Sequence, residues 1–169
     1  MASIYGVELK KVKTWEGLEG MGLQANVYIN NKCVGQVTDD AYGGDFRYDF
    51  DTTELDNKAN EYRVKIWNKL PENKDYVHLY KDGLGFTDQF IDEIYTLLIA
   101  EKSWKKAQKT QWKHLIQFRI GPNGVLKEIQ CREDVSDSLL IKDLAKRSNC
   151  KESEIVIEHR FTDLKDFAI

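Results

Sequence analysis

The chain has 169 residues, 41% hydrophobic and 31% charged, with only 2 prolines and a formal net charge of -3. That composition excludes collagen-like and disordered chains, and the length is enough to bury a core without disulfide or metal staples. Cys33, Cys131 and Cys150 are odd in number, far apart and in no CxxC pair, which speaks against a disulfide framework or a zinc ribbon and fits a reducing cytosol. The N-terminal MASIYGVELKKVK has no apolar h-region, and no stretch reaches the roughly 18 apolar residues of a membrane span. The expectation is a cytoplasmic protein, neither secreted nor membrane-spanning.

In chain order, residues 4–13 alternate apolar and polar and predict a first strand. Residues 14–22 hold three glycines and read as a loop, because glycine adopts unusual backbone angles at little steric cost. Residues 23–29 (LQANVYI) alternate again, and Asn30-Asn31-Lys32 leads into a second apolar run at 33–37. Asparagine tolerates the positive φ of tight turns, so this is the clearest hairpin of the chain. A turn-rich loop, 39–45, closes it, and Phe46, Tyr48 and Phe50 alternate as a further strand of an antiparallel meander.

Helical signals follow. Asp51-Thr-Thr-Glu offers capping side chains before Leu55, Ala59, Tyr62, Val64, Ile66 and Leu70, spaced more like one helical face than a strand, with strand as the alternative for 62–67. Pro71 stops that element, 76–80 is ambiguous, and 81–85 reads as a turn. The next helix has Thr87 as N-cap, Asp88 and Asp92 at the positive end of its dipole, and an apolar stripe of Phe86, Phe90, Ile91, Ile94, Leu97 and Leu98 running towards Lys109. Residues 114–120 and 125–131 form a second hairpin, Ser136 or Asp137 caps a short helix through Leu144, and 155–161 (IVIEHRF) is a last strand. Without regular βαβ alternation, these elements imply an α+β fold, a largely antiparallel sheet with two to three helices. A single domain over 1–169, with a soft subdivision near 71, accommodates them.

Charge is segregated along the chain. Between residues 39 and 56, Asp39, Asp40, Asp45, Asp49, Asp51, Glu54 and Asp56 stand against Arg47 alone. Between 101 and 120, Lys102, Lys105, Lys106, Lys109, Lys113 and Arg119 stand against Glu101 alone. Closely spaced carboxylates with Tyr42, Phe46 and Tyr48 suit a lysine-rich groove on a partner: charge speeds the encounter and buried aromatics supply affinity. Cations interleaved with Trp104 and Trp112 suit nucleic acid, through counterion release and base stacking. They equally suit a helix C-terminus with tryptophan core anchors and a wet lysine face.

Catalytic chemistry has weaker footing. The glycine clusters at 17–22 and 43–44 lack the Walker lysine and hydroxyl and open no helix after a strand, so turn geometry accounts for them. The carboxylates between Asp39 and Asp51 match no calcium loop, and a solvated acidic surface is the plainer reading than a metal site. His78, His114 and His159 are scattered over separate elements, with no sign that one activates a cysteine.

The stretch GLQANVYINNKCVGQVTDDAYGGDFRYDF, a helix ending in KLP, and FTDQFIDEIYTLLIAEKSWKKAQKT before the strand HLIQFRI together resemble a group of small phage and mobile-element accessory proteins. Their pattern is an aromatic-rich hairpin, an acidic turn with Gly-Gly, an acidic helix and a lysine-rich segment entering a strand. The resemblance carries over no catalytic motif. It implies an accessory role, including that of anti-CRISPR inhibitors and other antagonists of host defence.

The expected function is therefore non-enzymatic and without a cofactor or metal: binding and stoichiometric block of a host nucleic-acid-processing or defence protein, such as an RNA-guided nuclease, inside a bacterial cytoplasm. Asp39, Asp40, Tyr42, Asp45 and Asp49 form the expected protein interface. Lys102, Trp104, Lys105, Lys106, Lys109, Trp112 and Lys113 form a second interface or, in the alternative function, an RNA- or DNA-binding segment. A metal-dependent hydrolase built on the acidic loop ranks last, and pairing of the two charged faces across a homodimer stays open.

Overall fold

The structure, a computed structural model, describes residues 1–67, 86–121 and 125–169. It is α+β: two antiparallel sheets of four and three strands and three α-helices among the described residues. The chain divides into two compact units, residues 1–98 with 168–169, and Ile99–Phe167. The expected subdivision near 71 falls outside the described residues. Among those residues, no helix is long and apolar enough to cross a membrane.

The first unit carries the sheet β1 (Val7–Gly17), β2 (Gly20–Ile29), β3 (Lys32–Asp39) and β4 (Arg47–Tyr48), each strand paired with its sequence neighbour. Strand β1 starts later than its alternation suggests, because Tyr5 and Gly6 take positive φ and turn the chain before Val7. It also runs on through the glycines expected to be a loop. Thr14 to Gly17 pair in register with Leu23 to Gly20, leaving only Leu18 and Glu19 as the turn. The register slips once, between Lys10 and Lys13, where β1 holds one residue more than β2 and Lys11 takes φ 54°. The β2–β3 turn is as the asparagines suggest: Ile29 pairs with Lys32, and Asn30 and Asn31 sit at φ 49° and 67°.

One face of this sheet buries Val7, Leu9, Leu23, Ala25, Val27, Ile29 and Val37. The other is a half-buried polar ladder in which the Gln24 amide donates to Gln36 (3.0 Å), Gln36 donates to Asn26 (3.2 Å), and Lys10 lies over the Tyr28 ring. Helix α1 (Thr53–Trp67) buries Leu55, Ala59 and Tyr62 at helical spacing, which excludes the strand alternative for residues 62–67. Its start is fixed by Asp51, whose carboxylate accepts the Thr53 N–H and hydroxyl and is thereby held below its ordinary pKa.

Helix α2 (Phe86–Ala107) buries the whole expected stripe, from Phe86 to Leu98, and continues into the second unit. Thr87 lies inside this helix rather than capping it, and its hydroxyl donates to Asp56 at 2.6 Å.

In the second unit β5 (His114–Ile120) is the centre of a sheet ordered β6 (Lys127–Cys131), β5, β7 (Ile155–Phe161). Helix α3 (Asp137–Ser148) packs Leu140, Leu144 and Ala145 with Ile116, Phe118 and Ile155. Its N-cap residue, Ser136, makes no side-chain capping bond. Instead Arg160 of β7 ties down the helix entrance, donating to Asp137 (2.7 Å), Asp134 (3.2 Å) and the Val135 carbonyl (2.6 Å). Phe161 and Phe167 are fully buried and stack in parallel at 4.2 Å.

Candidate functional site

The expected acidic interface runs from Asp39, the last residue of β3, through the following loop to Asp49, just past β4, but its carboxylates are not equivalent. Asp39 accepts the Ala41 N–H (2.8 Å) and Asp40 the Tyr42 N–H (3.1 Å), so both fold the loop back on itself. Asp40 also pairs with the Arg47 guanidinium. Asp49 accepts the Gln36 N–H through its side chain and donates its own N–H to the Gln36 carbonyl (3.1 Å), which welds it to β3. These three first serve the backbone. Tyr42 and Asp45 are exposed.

The loop also meets the β1–β2 turn, a neighbour that sequence reasoning missed. The Glu19 N–H donates to the Ala41 carbonyl at 2.9 Å. The fit is close: a Cβ on Gly17 would run into Ala41, and one on Gly43 into the Glu19 carboxylate. Leu18 of the turn, Met21 at the start of β2 and Tyr42 of the loop after β3 are 84%, 60% and 65% exposed. Glu16, Glu19, Asp40 and Asp45 stand beside them in sequence. Trp15 lies flat across its strand partner Gly22, where any Cβ would collide with the indole.

Behind the loop, Asp88 of α2 accepts the Phe46 N–H (3.0 Å) and the Tyr48 hydroxyl (2.7 Å). Burial first, then Asp88, pushes the Tyr48 phenol far above its ordinary value, so it stays protonated as the donor. One turn on, Asp92 is raised to about 6, first by the surrounding protein mass and then by Asp39, Asp88 and Glu93. Asp92 itself keeps contact with solvent. The sequence reading gave Asp88 and Asp92 to the helix dipole; the fold brings them together with Asp39 and Tyr48. Among the described residues, no group of three or more His, Cys, Asp or Glu side chains could hold a metal ion.

The lysine-rich segment lies in the second unit, where the two tryptophans part company. Trp104 is only 8% exposed, its indole N–H donates to the Lys113 carbonyl (3.1 Å), and its ring packs against Phe167. It is a core anchor and presents no face for stacking. Trp112 is half-buried, with the Arg132 guanidinium 4.9 Å above its ring. Lys105 pairs with the buried Glu101 (2.6 Å) and the Lys113 ammonium donates to the Gln108 carbonyl (3.2 Å). Lys102, Lys106 and Lys109 are exposed.

As for nucleophilic chemistry, His114 pairs across strands with Cys131, but burial pushes the Cys131 thiol up, the opposite of an activated nucleophile. His159 lies on β7, and His78 lies outside the described residues. Comparison of the chain with protein-family models, with curated proteins and with solved structures gives no match.

Proposed function

We propose that this chain is a non-enzymatic binding protein that docks the β1–β2 turn and the loop after β3 onto a basic surface of a host nucleic-acid-processing or defence protein, blocking it stoichiometrically. The observation that carries this reading is the exposure of Leu18, of Met21 at the start of β2, and of Tyr42, around two loops joined by the Glu19–Ala41 hydrogen bond. Large apolar side chains held in water by a fixed backbone cost solvation unless a partner covers them, and such side chains beside acidic ones match the centre and rim of an interface. The carboxylates favour a lysine- or arginine-rich partner and exclude an acidic one. A groove that binds nucleic acid has that chemistry, and occupying it denies it to its substrate. By sequence the first unit holds 17 acidic against 11 basic residues, a background field of the same sign.

The test is a pull-down of the tagged chain from nuclease-treated bacterial lysate, run beside two variants and read by mass spectrometry. Leu18→Ser/Met21→Ser/Tyr42→Ala removes the apolar surface, whereas Lys102→Glu/Lys106→Glu/Lys109→Glu inverts the other charged segment. The expected result is one stoichiometric partner retained by the lysine variant and lost by the first, with at least about 30-fold weaker affinity on purified components. A partner held equally by the Leu18/Met21/Tyr42 variant would end this reading.

A further inference from the structure

At the C-terminal end of α2 a cleft of about 340 Å³ opens among Ser103, Lys106, Ala107, Thr110, Trp112 and Gln130. That volume lies at the small end of the range for small-molecule sites. Its aromatic wall is held in place. The Trp112 N–H donates to the Thr110 hydroxyl (3.2 Å), which itself donates to the Ala107 carbonyl (2.7 Å). The next residue is anchored to β6 by the Lys113 N–H on the Cys131 carbonyl (3.0 Å), and its own carbonyl receives Trp104 and Gln108. The Arg132 guanidinium lies 4.9 Å from the Trp112 ring centroid and is not among the described residues that line the cleft.

The rest of the lining has a definite chemistry. The Gln130 amide can donate and accept, Ser103 supplies a hydroxyl, and Lys106 places a cation at the cleft. Lys102 stands one helical turn before Lys106 on the same side of α2, and Lys109 follows in the turn after the helix. All three are exposed, and none is ion-paired among the described residues. An aromatic face, an adaptable amide and a row of cations match a base followed by phosphates.

We propose that this cleft holds one nucleotide unit of a single-stranded nucleic acid, with the base against Trp112, its edge at Gln130 and its phosphates on Lys106, the strand continuing past Lys102 and Lys109. A duplex keeps its bases stacked internally and cannot offer one to the indole. The proposal is independent of the surface formed by Leu18, Met21 and Tyr42.

The test is fluorescence anisotropy at low salt on the full chain. The probes are a labelled oligo(dT) of about 12 nucleotides, within the usual range of single-strand site sizes, a duplex of equal length, and thymidine monophosphate as competitor. The strand should bind better than the duplex and far better than the mononucleotide. Trp112→Ala should weaken it by about 5- to 150-fold, as expected for one stacked base, while Trp112→Phe stays within a few-fold. Replacing Lys102, Lys106 and Lys109 by Gln should flatten the salt dependence by about 2 in logarithmic slope. The Leu18/Met21/Tyr42 variant should bind the strand like the parent. No binding, a preference for duplex, equal affinity for the mononucleotide, or indifference to Trp112→Ala would each overturn the proposal.

Discussion

Asp88→Ala removes a carboxylate that receives two hydrogen bonds from the segment following the candidate loop, the Phe46 N–H at 3.0 Å and the Tyr48 hydroxyl at 2.7 Å. Hydrogen bonds to a charged acceptor contribute about 1.5–3 kcal/mol each, and the substitution leaves two part-buried donors without their acceptor. Asp88 also sits in the first turn of α2, where a negative charge contributes about 0.3–1 kcal/mol. Against this, removing it relieves repulsion with Asp92. The net expectation is a loss of about 3 kcal/mol, or a fall in Tm of roughly 6–12 °C for a chain of this size. Tyr48→Phe keeps the ring edge-on to Phe50 and loses only the hydroxyl and its bond to a charged acceptor, so it should cost about 1.5 kcal/mol. Because both changes break the same bond, the double variant should fall short of the sum by roughly 1 kcal/mol. Urea unfolding of the four proteins measures the cycle, and amide exchange at Phe46 should accelerate in Asp88→Ala but not in Tyr48→Phe. A strictly additive cycle, or Asp88→Ala within about 0.5 kcal/mol of the parent, would refute the idea that this carboxylate pins the loop.

Three further outcomes follow from the geometry. Asp92, raised from its ordinary 3.8 to about 6, binds its proton more tightly folded than unfolded; its contribution to stability is present below about pH 4 and is lost as pH rises through 6. Asp92→Asn should remove that slope and stabilise the chain at pH 7 by under about 1 kcal/mol, since solvent screens the residue; urea midpoints between pH 4 and 7.5 that keep the slope would contradict this. With Asn30 and Asn31 both at positive φ, Asn31→Gly should be neutral or stabilising, whereas Asn31→Val should cost about 1–2 kcal/mol by thermal unfolding. Exposed Cys33 should react with a thiol dye well before Cys131, whose thiol burial pushes up, and equal labelling rates by peptide mass mapping would contradict the packing of β6.

Elements specified by their own residues were legible in the sequence. The asparagine turn, the stripe from Phe86 to Leu98 and the strand at Ile155–Phe161 all lie where local periodicity places them. What escaped depends on distant partners. Residues 14–22 carry the glycines of a loop, yet pairing across the β1–β2 ladder draws them into strands, and Gly22 serves to seat Trp15 rather than to bend the chain. Trp104 and Trp112 have the same local surroundings in sequence, and only the fold separates the anchor from the cleft wall. Gln130 and Arg132 reach the site through the pairing of β6 with β5, which no spacing within the lysine segment announces. In the expected acidic patch Tyr42, Asp45 and Asp49 are exposed. Spacing alone could not register that Asp39 and Asp40 are occupied by their own loop and Asp49 by Gln36 of β3, or that Leu18 and Met21 stand at the adjoining turn and the start of β2.

The extra residue of β1 at Lys11–Val12 acts as a change of parity. Before it, even-numbered residues such as Glu8 and Lys10 share a sheet face with Asn26 and Tyr28; after it, odd-numbered Lys13 and Trp15 share that face with Gln24 and Gly22. Deleting one residue there would restore plain alternation and leave Lys13 and Trp15 on that face, whereas a strand running straight through Lys11 and Val12 with no residue lost would exchange Trp15 for Glu16 on it. The indole would turn towards the opposite side, away from the glycine that receives it. The orientation of the whole far end of the hairpin is thus encoded several residues upstream. A graft of residues 14–22 onto another meander would reproduce their chemistry but not their handedness unless the bulge travelled with them.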